Sequence, residues 1–202
     1  MDVYLVTMGY NYMHRNLLLF SFSRLPSCSE IVLSKNIVKS FIYKNLPGYN
    51  LYPVEGDGLC TFHSFVEAMF ALRGFKIPLN EVRSTVKNYL TAHKDELSGF
   101  SETDVDIVNE LDKLFENPLA NYGNNTNDLY LKVLGDAYKV NTVIFQSDAK
   151  KCWIVDMSNV ENPYTDTLYF ARTLSLHIDP VIPYTNTPVS YTHLTLPTIL
   201  LV

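Results

Sequence analysis

Cysteine is scarce and badly spaced for pairing. The three, Cys28, Cys60 and Cys152, are odd in number and far apart. That excludes a disulfide framework and a CxxC metal site, and it points to a reducing, cytoplasmic compartment. Net charge is also small: at -5 the chain gives no reason to expect nucleic acid or an anionic membrane as partner. Long hydrophobic runs are missing. Leu17-Leu18-Leu19-Phe20 is too short to span a bilayer. It also lacks a basic stretch at Met1-Asp2 before it and a small-residue cleavage site after it, so it does not read as a secretory signal. What the chain has in plenty is apolar and aromatic material, with fourteen Tyr and eleven Phe in 202 residues, enough for one soluble domain with a sizeable core.

Residues 1–48 read as a mixed, partly extended leader or flanking segment. Within it Ile37, Val38, Phe41 and Ile42 hint at helical spacing, and Pro47-Gly48 closes it. Helical signals follow in order. An apolar run (Phe62, Phe65, Val66, Met69, Phe70) begins at Cys60. Pro78-Leu79-Asn80 precedes Val82, Val86, Tyr89 and Leu90, on one face of a helix ending near His93. Ser101-Glu102-Thr103-Asp104 has the form of a capping box before Ile107, Val108, Leu111, Leu114 and Phe115, and Asn117-Pro118 stops that stripe. The loop Asn121–Asn125 leads to Asn127 as the cap of a helix over Asp128–Tyr138. Beyond residue 140 the period alternates. Thr142–Phe145, Trp153–Val155 and Leu168–Leu176 read as strands, with turns at Asp148–Lys151 and Glu161-Asn162-Pro163. Helices first and an antiparallel-looking sheet later make an α+β pattern.

Two places carry chemistry. In Gly56-Asp57-Gly58-Leu59-Cys60 a glycine turn delivers a cysteine to the first turn of a helix. The unpaired N–H groups and the positive end of the backbone dipole there favour thiolate over thiol. At the end of the last strand, His177 and Asp179 fall on one face because side chains alternate. They are an imidazole and a carboxylate able to orient it, the base and orienter that a cysteine nucleophile needs.

Gly-Asp-Gly-x-Cys-x-Phe opening a helix, with a distant His-x-Asp ending a strand, resembles the ovarian tumour (OTU) class of cysteine proteases. Intervening landmarks agree in order. Val82-Arg83 with Val86 and Tyr89-Leu90 is similar to the family's Leu-Arg helix. Tyr122-Gly123 stands where many members have Trp-Gly, and Val140–Phe145 is similar to its central strand. The resemblance covers roughly residues 50–183 and has a viral cast. It implies a papain-like α+β fold with a small, mostly antiparallel central sheet flanked by helices, in a domain over residues 49–187. It implies Cys60 as nucleophile, His177 as general base and Asp179 as the residue orienting the imidazole. The backbone at Asp57, Gly58, Leu59 and Cys60 would form the oxyanion hole, with Asp57 pinning that loop. No metal or cofactor is required. The position after the histidine, often a large aromatic, is Ile178, which bears on the shape of the substrate channel.

The activity implied is hydrolysis of isopeptide bonds to ubiquitin or a ubiquitin-like protein through a thioester, with no nucleic acid or membrane partner. Three readings stand beside it: the same site used on a viral polyprotein, a non-catalytic ubiquitin-binding module, and a purely structural domain. Other candidates have plainer roles. His63 shares a rigid helix with Cys60 and has no acid beside it in sequence. His93 suits a helix C-terminus. Cys28 has no chemical company, Cys152 reads as strand core, and Asp95-Glu96 and Asp104–Asp106 read as solvated faces. Residues 189–202, with Val189-Ser190-Tyr191-Thr192-His193-Leu194, are similar to a translated sequencing adapter. They are expected to be non-native and unpacked, and His193 is no ligand.

Overall fold

The computed structural model describes residues 5–7, 26–93, 106–119, 127–158, 163–174 and 176–184. The segments Leu17–Phe20, Asp95-Glu96, Ser101–Asp104, Asn121–Asn125 with Tyr122-Gly123, Glu161-Asn162 and 189–202 with His193 lie outside them. Five helices are described: α1 (Cys28–Asn45), α2 (Cys60–Arg73), α3 (Leu79–Ala92), α4 (Ile107–Glu116) and α5 (Asn127–Tyr138). Six strands, β1 (Leu5–Thr7), β2 (Tyr49–Leu51), β3 (Asn141–Ser147), β4 (Cys152–Asp156), β5 (Thr167–Thr173) and β6 (His177–Pro183), form one sheet in the order β1-β4-β3-β5-β6-β2. Most pairings are antiparallel and the fold is α+β. The β3–β5 and β1–β4 pairs are parallel.

Alternation along the central strands sends side chains to two separate cores. Ile144 and Phe170 join the larger one with Phe62, Phe65 and Met69 of α2, Val82 and Val86 of α3, Leu111 of α4 and Leu134 of α5. Their neighbours Phe145 and Ala171 face the other way, onto Val38, Phe41 and Ile42 of α1. Each of those α1 side chains is buried, contributing roughly 1.5–3 kcal/mol. Both faces of the sheet are therefore covered.

Much of the segment expected as a partly extended leader is the continuous helix α1. Its start is fixed by a capping box. The Ser27 hydroxyl accepts from the Glu30 N–H, and the Ser27 N–H donates to the Glu30 carboxylate at 2.7 Å. The α4 cap is Asp106, whose carboxylate accepts from the Val108 and Asn109 N–H groups, and Asn117 ends that helix.

The long last strand expected from Leu168 onward is instead a hairpin. β5 and β6 pair antiparallel, with Thr173 opposite His177 and Ala171 opposite Asp179. The reversal is made by Leu174 at φ 51, a left-handed turn residue with a side chain. His177 and Asp179 remain two apart on one strand and so share a face.

Candidate active site

The site forms where the first turn of α2 meets the first residues of β6. Helices normally begin with a Ser, Thr, Asp or Asn that occupies the first amides. Here the cap is Leu59, which has no side-chain acceptor. Asp57 takes over part of that work. One carboxylate oxygen accepts from the Leu59 N–H at 2.9 Å, and the other lies 2.9 Å from the His63 Nε2. Burial works against ionisation of Asp57, but the Leu59 N–H and the His63 ring outweigh it and hold the carboxyl below its usual range. His63 therefore does have an acid beside it, brought there by the loop folding back over the helix. The Leu59 amide is committed to Asp57. The Gly58 and Cys60 amides form no hydrogen bond among the described residues.

Gly58 is required where it stands. Its φ is +93, and a Cβ added there would come within 2.6 Å of the Pro118 carbonyl carbon and oxygen. The end of α4 thus packs directly on the loop, at a point where only a missing side chain leaves room. Gly58→Ala is expected to lower stability by about 2–4 kcal/mol, from backbone strain plus the clash. Gly56→Ala should leave stability near wild type, since its added Cβ would meet only the His177 ring, at 3.9 Å. Denaturant melts of the two variants check this; equal losses would contradict it.

Cys60 is buried, 4% exposed. The His177 ring bonds to Asp179, and Cys60 lies close enough to add to the rise in the ring's pKa. Nε2 lies 2.9 Å from the Asp179 Oδ1, which leaves Nδ1 for the sulfur. Asp179 is 1% exposed, and its Oδ1 also accepts from the Val54 N–H at 3.0 Å. The Lys35 ammonium of α1 stands 3.8 Å from its Oδ2. With the Asp179 carboxylate as the main cause and Cys60 second, and against the effect of burial, the His177 pKa is pushed up to about 9. At neutral pH the ring is an imidazolium, whose cation beside sulfur is the partner a thiolate nucleophile requires.

The other two thiols are elsewhere. Cys152 is buried in β4, its pKa raised to about 12, chiefly by burial. Cys28 is exposed at the start of α1. The His93 Nδ1 lies 2.9 Å from the Tyr89 carbonyl oxygen and its ring stacks on Tyr89, at the end of α3. No group of three or more metal-ligating side chains occurs among the described residues. No described helix is long and apolar enough to cross a membrane.

A cysteine at a helix start facing a histidine–carboxylate pair on a strand, within an α+β fold, is the arrangement of papain-like thiol hydrolases. Residues 55–176 match the OTU-like cysteine protease family, and the chain belongs to that family. It is 21% identical over 152 residues to a protein of Tipula iridescent virus whose name describes it as a ubiquitin thioesterase. That match covers 69% of this chain and 17% of the relative, so the chain spans about a sixth of the relative's length. Among solved structures, the viral OTU domain protease of Taggert virus superposes with a TM-score of 0.53 at 18% identity, covering 69% of this chain and 82% of that one. An OTU deubiquitinase from Wolbachia pipientis wMel, solved bound to ubiquitin, superposes with a TM-score of 0.50 at 14% identity, covering 69% and 99%.

Proposed function

We propose that this chain is a deubiquitinase that hydrolyses isopeptide bonds at the C-terminus of ubiquitin or a ubiquitin-like protein through Cys60, His177 and Asp179. The observation that carries the reading is the His177 ring bonded to the buried Asp179 carboxylate at 2.9 Å, with Cys60 at the start of α2 acting on the same ring. Family membership supports thiol chemistry. The substrate is taken from the relatives, one named as a ubiquitin thioesterase and one solved with ubiquitin.

In the first half-reaction the Cys60 sulfur attacks the carbonyl carbon of the terminal glycine, and the carbonyl electrons move onto oxygen. On this reading the Gly58 and Cys60 amides donate to that oxyanion, while Asp57, Leu59 and His63 hold the loop in shape. His177 gives its proton to the leaving lysine nitrogen as the carbon–nitrogen bond breaks, leaving a thioester on Cys60 and a neutral imidazole. In the second half-reaction that imidazole takes a proton from water as the oxygen attacks the thioester. Collapse returns the thiolate and the imidazolium and frees a carboxylic acid, which ionises to the carboxylate by giving its proton to solvent.

Incubation with isopeptide-linked diubiquitin tests the substrate. Release of monomeric ubiquitin is expected. Binding without cleavage by an intact protein would instead mark a non-catalytic module.

A further inference from the structure

The nucleophile and its histidine ride on different elements, and one buried bond joins those elements between them. Ser64 lies one helical turn beyond Cys60, on the same face of α2. It is 0% exposed, and its hydroxyl donates to the Ile178 carbonyl oxygen at 2.8 Å. Ile178 stands between His177 and Asp179 on β6. Carbonyls two residues apart on a strand point the same way, so this one shares a side with that of Pro180, which accepts from the Tyr52 N–H at 3.0 Å. β2 pairs with β6 only over Val181–Pro183. At Ile178 the neighbouring strand is gone, and a buried carbonyl there needs another donor. Ser64 supplies it.

We propose that Ser64 is a positioning residue that sets the distance between the Cys60 sulfur and the His177 ring by tying α2 to β6 at the residue between base and orienter. The proposal rests on the reading of Cys60 and His177 as nucleophile and base. It does not depend on what the substrate is.

The comparison that isolates this role uses a second buried serine. Ser34 of α1 is also 0% exposed and bonds to the Ser147 hydroxyl at 2.7 Å, in the core on the other face of the sheet. Ser34→Ala therefore removes a similar hydroxyl from the same domain without touching the α2–β6 contact. The readout is the rate at which iodoacetamide alkylates Cys60, followed by mass spectrometry of the Cys60 peptide. At about pH 6.5 a thiol without a neighbouring imidazolium reacts slowly, whereas at about pH 9.5 any accessible thiol reacts.

Ser64→Ala is expected to slow alkylation about tenfold or more at the lower pH and less than about twofold at the higher, since small displacements of a catalytic pair cost one to two orders of magnitude. Ser34→Ala should keep the wild-type ratio. If Ser64→Ala is too unstable to purify, Ser64→Thr and Ser64→Val have the same shape with and without the hydroxyl. The first should keep the low-pH reactivity and the second lose it. A Ser64→Ala or Ser64→Val ratio equal to wild type overturns the proposal. Wild-type protein without low-pH reactivity at Cys60 overturns it together with the Cys60–His177 pair. The expected Ser64 effect in a protein that leaves ubiquitin conjugates intact upholds it and removes only the substrate.

Discussion

Cys60→Ala is expected to abolish turnover of a ubiquitin C-terminal amide, by about five orders of magnitude or more, while the fold melts near the wild-type temperature. The chemical half follows from where the other two cysteines stand. Cys152 is buried with its pKa raised to about 12, and Cys28 is exposed at the start of another helix. Without the sulfur, only the loop amides and substrate binding remain, and in enzymes of this kind such residual catalysis is several orders of magnitude below the intact site. The structural half follows from the position. Alanine is the best helix former and the change removes one sulfur from the first turn of α2, a small cavity beside a site that accepts substrate. Steady-state kinetics with a thermal melt of the same preparation checks both. Retained turnover would move the chemistry away from Cys60.

The second large effect is on Asp179. It is the main cause of the raised His177 pKa and its Oδ1 is shared with the Val54 N–H. Asp179→Ala therefore frees the ring, strands a backbone donor and removes the charge that keeps the imidazolium. A loss of about two to four orders of magnitude at neutral pH is expected.

Asp179→Asn keeps an acceptor for the ring and is expected to be milder, with its effect visible in the pH profile. If the imidazolium is the acid that protonates the leaving amine, the alkaline limb of wild-type kcat/KM falls near pH 9, where His177 loses its proton. In the Asn variant that limb moves down toward about pH 6.5, the ordinary histidine value. Stability carries the same signature. A folded-state pKa raised above the unfolded one stabilises fully below about pH 6.5, and that contribution is lost as pH rises through the folded value of about 9. The ring is 26% exposed, so a contribution on the order of 3 kcal/mol is an upper bound. Denaturant melts across pH should slope downward over this window in wild type and flatten in Asp179→Asn. An alkaline limb that stays in place would assign the acid to another group.

How much of this was legible from the chain depended on whether the signal was local. The spacing of Val82, Val86 and Leu90 marked α3 with its end at His93, and Asn117 before Pro118 marked the end of α4. The alternation that places His177 and Asp179 on one face is also local, and survived the error about the strand that carries them. The hairpin was invisible because Thr173-Leu174-Ser175-Leu176 contains no Gly, Pro, Asn or Asp, and Leu174 turns the chain regardless. β1 and β2, three residues each, are too short to show a period. The start of α1 did have a readable sign, Ser27-Cys28-Ser29-Glu30, a capping box that the polar residues along the helix obscured.

Within the site, the cysteine on its glycine turn could be read, because the turn and helix are contiguous. The Asp57–His63 pair needs the loop to fold back across six positions, and the Ser64–Ile178 bond joins residues 114 apart. A serine on an apolar helix face reads as a gap in the stripe until its carbonyl partner is in place.

Reaction with full-length ubiquitin carrying an electrophile at its C-terminus, followed by mass mapping, tests Cys60 as the nucleophile that takes a ubiquitin C-terminus. One covalent ubiquitin per chain is expected, located on the Cys60 peptide and absent in both Cys60→Ala and a wild-type sample alkylated beforehand. An adduct on Cys28 or Cys152, or no adduct on a protein whose melt shows an intact fold, would contradict it.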